Sequence, residues 1–315
     1  MIRRLFRTQD LTQSIRQDAI DLIQRLNNLC THPDLNDSTT NAVADIEGSE
    51  HFNGWCEQMS PKFAFLKIFL DNLGKDQLTI VVVCKDGPLV RFLHKFLVTS
   101  NISTSIITAM PGMAASFQSS HPERRATVII QPLQPSQDRF HVPIQAHVVV
   151  AIDDSYRLLK PSVHSAWPRQ FSGPPKAAPV IHPVVFASPE HVRMAQPDNI
   201  KAEHSLKALM HCMIQTRNLC GEVSPDYYNT EGVAEEVAHF VKHGAISARW
   251  TLLPVEQLRL KGLQLIPASQ ESNDSSQPSH SQMHSLPLHP QHAGSRPGTP
   301  SMRKRVLVSG LQQIT

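Results

Sequence analysis

Asp153 and Asp154 are paired carboxylates at the end of an apolar run, a placement that could hold a divalent cation or supply a general base. No other metal-ligating residues stand at a diagnostic spacing, so an acidic turn that ends a strand is the simpler reading. His121 and Glu123 make the His-x-Glu half of a zinc deaminase motif, but the Pro-Cys-x-x-Cys half is missing. Nothing in the chain fits GxxxxGK[ST], the loop that cradles phosphates in P-loop enzymes. His280, His284, His289 and His292 fall in a low-complexity tract, which does not build a packed metal site. No cofactor and no catalytic residue is therefore expected.

The remaining candidates are basic. Lys85 falls at the carboxyl end of a strand, the edge at which open α/β sheets bind ligands. Arg91 and Lys95 are four apart on the helix that follows, opposite Phe92 and Phe96. Arg124 and Arg125 precede one strand, while Arg157 and Lys160 follow another. The net charge of +3 permits contact with a polyanion without requiring it. Arg303-Lys304-Arg305 is a short basic run of the nuclear-import type, a pattern of low specificity. The five cysteines are scattered and make no CxxC, as for reduced thiols in an intracellular protein. No secretory signal is read at the start, and no apolar run approaches the ~18–20 residues that span a bilayer. A soluble protein with no membrane partner is expected.

The elements that must position these residues centre on residues 59–108. Ser60 can cap a helix with Pro61 at its first position, and Gly74 can stop it. Residues 78–84 (LTIVVVC) form an unbroken apolar run of the kind buried on both faces in a parallel sheet. Asp86 and Pro88 open a second helix with Leu89, Phe92, Leu93, Phe96 and Leu97 on one stripe. Further strands are expected at 102–108, 126–133, 146–152 and 180–187, with a helix beginning at Ser188-Pro189. A strand with a helix on each side starts a doubly wound α/β layer. Residues 11–30 read as an amphipathic helix, 34–57 as a polar loop insertion pinned by Trp55, and 112–119 as a short helix. The expected organisation is an α/β domain over 1–197, a helical extension over 198–266 and a disordered tail over 267–315.

Leu26, Cys30, His32, Pro33 and Leu35 form the pattern Leu-x-x-x-Cys-x-His-Pro-x-Leu, followed by Ser60-Pro61-Lys62-Phe63. In this order they resemble the entry to the second RecA-like lobe of Swi/Snf-type remodelling ATPases, and the resemblance runs over about residues 15–195. It implies a RecA-like (P-loop NTPase/helicase C-lobe-like) parallel sheet of about five to six strands with flanking helices. The catalytic parts depart from that pattern. Gln134-Pro135-Ser136 stands where a glycine-rich turn is needed, and Arg169 alone, beside Pro168, stands where two arginines should stabilise the transferring phosphoryl group.

A helicase-like lobe without ATPase residues resembles the fungal class II histone deacetylase complex subunits 2 and 3. That resemblance implies a nuclear, non-catalytic chromatin subunit that supports transcriptional repression with partner subunits of the deacetylase complex. It also implies sequence-independent contact with the duplex DNA backbone through Lys85, Arg91, Lys95, Arg124, Arg125, Arg157 and Lys160. The first lobe and coiled coil of the family are not in the sequence, as in a fragment, a truncated paralogue or a divergent member. Two alternatives stay open: the second lobe of an ATP-driven remodeller, and an α/β small-molecule enzyme using Asp153 or Asp154.

Overall fold

Thr12 caps the first helix, α1 (Gln13–Thr31), by accepting from the Ile15 N–H. The helix stops where His32 turns extended ahead of Pro33, and a 3-10 turn (Pro33–Asn36) follows. The computed structural model describes residues 12–36, 51–74, 76–107, 126–133, 145–158, 178–195, 202–216, 220, 230–243 and 306–309. All of them belong to a compact unit made of residues 1–259 and 303–315.

Helix α2 (Phe52–Met59) begins inside the stretch 34–57 expected to be a loop and runs past its end. Phe52 and Cys56, four residues apart, are both buried, and Trp55 packs partly buried beside them. The polar residues around it obscure this short apolar face in the sequence. Helix α3 (Pro61–Leu73) starts as the sequence implies, with the Ser60 hydroxyl accepting from Phe63 N–H at 3.2 Å, and Gly74 ends it at φ +62°.

Strand β1 (Thr79–Lys85) leads through Gly87, at φ +125°, into α4 (Pro88–Thr99). Then come β2 (Ser103–Ile106), β3 (Thr127–Leu133), β4 (Val148–Ala151) and a 3-10 turn (Asp154–Leu158). Strand β5 (Val180–Val185) and α5 (Pro189–Ala195) follow, then α6 (Ala202–Thr216), α7 (Thr230–His243) and β6 (Val306–Ser309).

The sheet order is β2-β3-β1-β4-β5-β6. The first five strands are parallel and β6 is antiparallel to β5. β1 is central, with Val81 aligned to Ile129 on one side and Val149 on the other. Its side chains alternate between two cores, as the pleat dictates. Ile80, Val82 and Cys84 join a core with α2, α3, α4 and α7, while Val81 and Val83 face Ile129, Val149, Ala151 and Tyr156.

Helices α3 and α4, which flank β1 in the chain, lie on one face of it, with the Phe63 and Phe96 rings 5.0 Å apart. Two features differ from the sequence reading. The core does not stop near residue 197, because Val233, Val237, Phe240 and Val241 of α7 pack into the same cluster as α3. Residues 306–309, within the tail expected to be disordered, pair with β5 and so cover its outer backbone edge. The expected short helix at 112–119 lies outside the described residues.

Candidate functional site

The chain leaves β1 toward β2 and β3 on one side, and β4 and β5 lie on the other. The strand order therefore reverses between β1 and β4, whose carboxyl ends form the switch point where α/β sheets bind ligands. A cavity of about 120 Å³ lies there, lined by Gln24, Asn27 and Thr31 of α1 and by Lys85, Asp153 and Glu190, among others. It is well below the ~300–1,000 Å³ usual for small-molecule sites.

The polar groups around it are engaged with one another. Lys85 N–H donates to Asp153 Oδ2 at 2.8 Å, and Lys85 Nζ to Gln24 Oε1 at 3.3 Å. The other Asp153 oxygen accepts from the Ser155 N–H at 3.0 Å and from the Ser155 hydroxyl. Burial pushes the Asp153 carboxyl up, and the bonds from Ser155 and Lys85 oppose that shift. Asp154 pairs with Arg193 of α5 and accepts from Asn27 Nδ2 at 3.3 Å. The two aspartates thus close a strand-ending turn and tie it to α1 and α5. Among the described residues no three metal-ligating side chains cluster.

Below this layer runs a buried charge network that the sequence reading missed. Lys62 Nζ of α3 donates to Ile152 O at 2.8 Å and meets Glu190 Oε2 at 2.5 Å. Glu190 Oε1 lies 2.6 Å from His182 Nε2 of β5. Burial alone would push the Glu190 carboxyl up, yet Lys62 and His182 together pull it down to about 2. The available signal was a lysine among the apolar residues of a helix's first turn, with a glutamate in an equivalent Ser-Pro-x opening.

The pattern residues around His32 are structural. The His32 imidazole is fully buried, 4.7 Å from the Trp55 ring and 4.4 Å from Phe92, and burial lowers its pKa to about 4. Ser60 Oγ donates to Thr31 O at 2.5 Å, which joins the end of α1 to the start of α3.

Of the basic residues named from sequence, Lys85 is exposed at the sheet edge and Arg91 is exposed on α4. Lys95 is half-buried, and its Nζ sits 4.6 Å from the centre of the Phe52 ring, so this side of α4 is shared with α2. Arg157 lies in the 3-10 turn after β4, and its side chain is outside the described set. Arg124, Arg125 and Lys160 also lie outside the described residues.

Fold and site define an α/β domain with a parallel five-stranded core sheet, whose carboxyl edge is laced by its own ion pairs and hydrogen bonds. The chain belongs to the family of class II histone deacetylase complex subunits 2 and 3, whose model matches residues 1–241. Its fold is similar to a chain in a structure described as structural and functional studies of the yeast class II Hda1 HDAC complex. That match has 14% identity and a TM-score of 0.60, and covers 81% of this chain and 85% of that one. It is also similar to a chain in the crystal structure of fission yeast Ccq1 and Tpz1, at 16% identity and a TM-score of 0.50, covering 78% of this chain and 86% of that one. Identities this low speak for fold alone. No curated protein matches the chain.

Proposed function

We propose that the chain is a nuclear, non-catalytic subunit of a class II histone deacetylase complex that supports transcriptional repression, binding partner subunits and the backbone of duplex DNA. Family membership supports the place in the complex. The observation that carries the DNA contact is the exposure of Lys85 and Arg91 beside the carboxyl edge of the sheet. Cations so placed contact phosphates without reading bases. Lys95, Arg124, Arg125, Arg157 and Lys160 complete the proposed face. The non-catalytic reading rests on Asp153 and Asp154, whose carboxylates are engaged in holding the turn. A small-molecule enzyme would need a larger cavity and a carboxylate free to meet substrate.

Affinity capture of the full-length chain from nuclear extract tests the assembly. Class II deacetylase activity is expected to co-purify, with no ATPase that duplex DNA stimulates. Capture without deacetylase activity would contradict the complex, and a DNA-stimulated ATPase would favour a remodeller lobe.

A further inference from the structure

Cys30 and Cys220 are 190 residues apart in sequence, yet the fold brings their sulfurs to 3.9 Å. Cys30 sits in the last turn of α1 and Cys220 lies beyond α6; both are half-buried, whereas Cys56, Cys84 and Cys212 are buried. A disulfide bond of ~2.05 Å asks the sulfurs to approach by about 1.9 Å. We propose that Cys30 and Cys220 are a reversible oxidation site, forming a disulfide that clasps the C-terminal end of α1 to the segment after α6.

The oxidant class is a low-molecular-weight disulfide such as oxidised glutathione. The Cys220 thiolate attacks one glutathione sulfur, forming a mixed disulfide and releasing a glutathione thiolate that takes up the Cys220 proton. Cys30 then loses its proton and attacks the Cys220 sulfur, expelling the second glutathione, which takes that proton. Two protein thiols are oxidised to one disulfide, and one glutathione disulfide is reduced to two thiols. The hydrogen bond to Cys220 and burial push the Cys30 thiol up, so the resting pair is a dithiol and the second step quickens as pH rises.

The clasp closes a long loop, which limits the unfolded chain, and it fixes the helix that supplies Asn27 and Thr31 to the cavity wall. The test treats the full-length chain with oxidised glutathione at neutral and mildly alkaline pH, then maps non-reduced peptides by mass spectrometry. A Cys30–Cys220 cross-link is expected as the main product, faster at the higher pH and reversed by dithiothreitol. The melting midpoint is expected to rise on oxidation in the wild type and to stay unchanged in Cys30→Ser and Cys220→Ser. Two separate glutathione adducts, or a different pairing as the main product, would overturn the proposal. The wild-type peptide map decides this even if a serine variant folds poorly.

Discussion

Lys62 Nζ and Glu190 Oε2 meet at 2.5 Å with both side chains almost sealed from solvent, although 128 residues separate them in the chain. The pair joins the first turn of α3 to the first turn of α5, and Lys62 also holds the end of β4 through Ile152 O. Breaking such a pair costs more than the pair contributes, because the partner left behind is a buried and uncompensated charge. Lys62→Met is therefore expected to destabilise the fold by about 3–5 kcal/mol in urea unfolding. The double variant Lys62→Met/Glu190→Met should lose clearly less than the sum of the two single losses. Simple additivity would show that the contact carries no coupling.

The same network sets an acid limit. The folded Glu190 carboxyl lies at about 2, below its ordinary 4.5. Its contribution is complete above the ordinary value and is lost as pH falls through that range toward the folded one. Acid unfolding of Glu190→Gln should lack this component, and an unchanged acid branch would contradict it.

His32 shifts in the direction expected of a base buried without a counter-charge. Its folded pKa of about 4 lies below the ordinary 6.5, so the unfolded state takes up the proton first as pH falls. The stability is present in full above about pH 6.5 and declines from there toward about pH 4, by up to about 3 kcal/mol. His32→Phe should flatten the pH dependence in that window, whatever it does to stability at neutral pH. A slope equal to wild type would contradict the shift.

Ser60 serves two elements at once, as the N-cap of α3 and as the donor to Thr31 O. Ser60→Ala removes both and leaves a buried carbonyl unpaired. A loss of about 2–3 kcal/mol is expected in chemical denaturation. A loss under about 0.5 kcal/mol would mean that the α1–α3 junction does not depend on it.

Two glycines should respond in opposite directions. Gly87 sits at φ +125° with open space where a Cβ would stand, so Gly87→Ala costs backbone strain alone, about 1–3 kcal/mol. Gly54 is inside α2 with equally open space, so Gly54→Ala should stabilise by about 0.5–1 kcal/mol. Thermal melts of the two variants check the contrast, and a shift of the same sign in both would contradict it.

What was legible in the sequence was local. The caps at Ser60 and Gly74, the stop ahead of Pro33 and the apolar run of β1 each specify their element within a few residues. Burial on both faces implied the parallel sheet, because only a central strand tolerates five consecutive buried residues such as Ile80–Cys84. Helix α2 was hidden because its apolar face is only Phe52, Trp55 and Cys56 within polar surroundings. The charge network was hidden for a different reason: Lys62 and Glu190 become partners only when β4 and β5 bring α3 and α5 together. Lys95 reads in the sequence as a solvent-facing cation because its neighbour across α4, Phe52, lies in the supposed loop.

Titration of labelled duplex DNA at several salt concentrations tests the proposed phosphate-binding face most directly. The wild type and Lys85→Gln/Arg91→Gln are compared, since neither side chain is buried and the fold should be nearly unaffected. Each phosphate neutralised adds about −0.9 to the slope of log K against log salt. Sequence-independent binding that weakens steeply with salt is expected, with a slope flattened by up to about two units in the double variant and no response to ATP. Identical slopes for the two proteins, or no binding by the wild type at low salt, would contradict it.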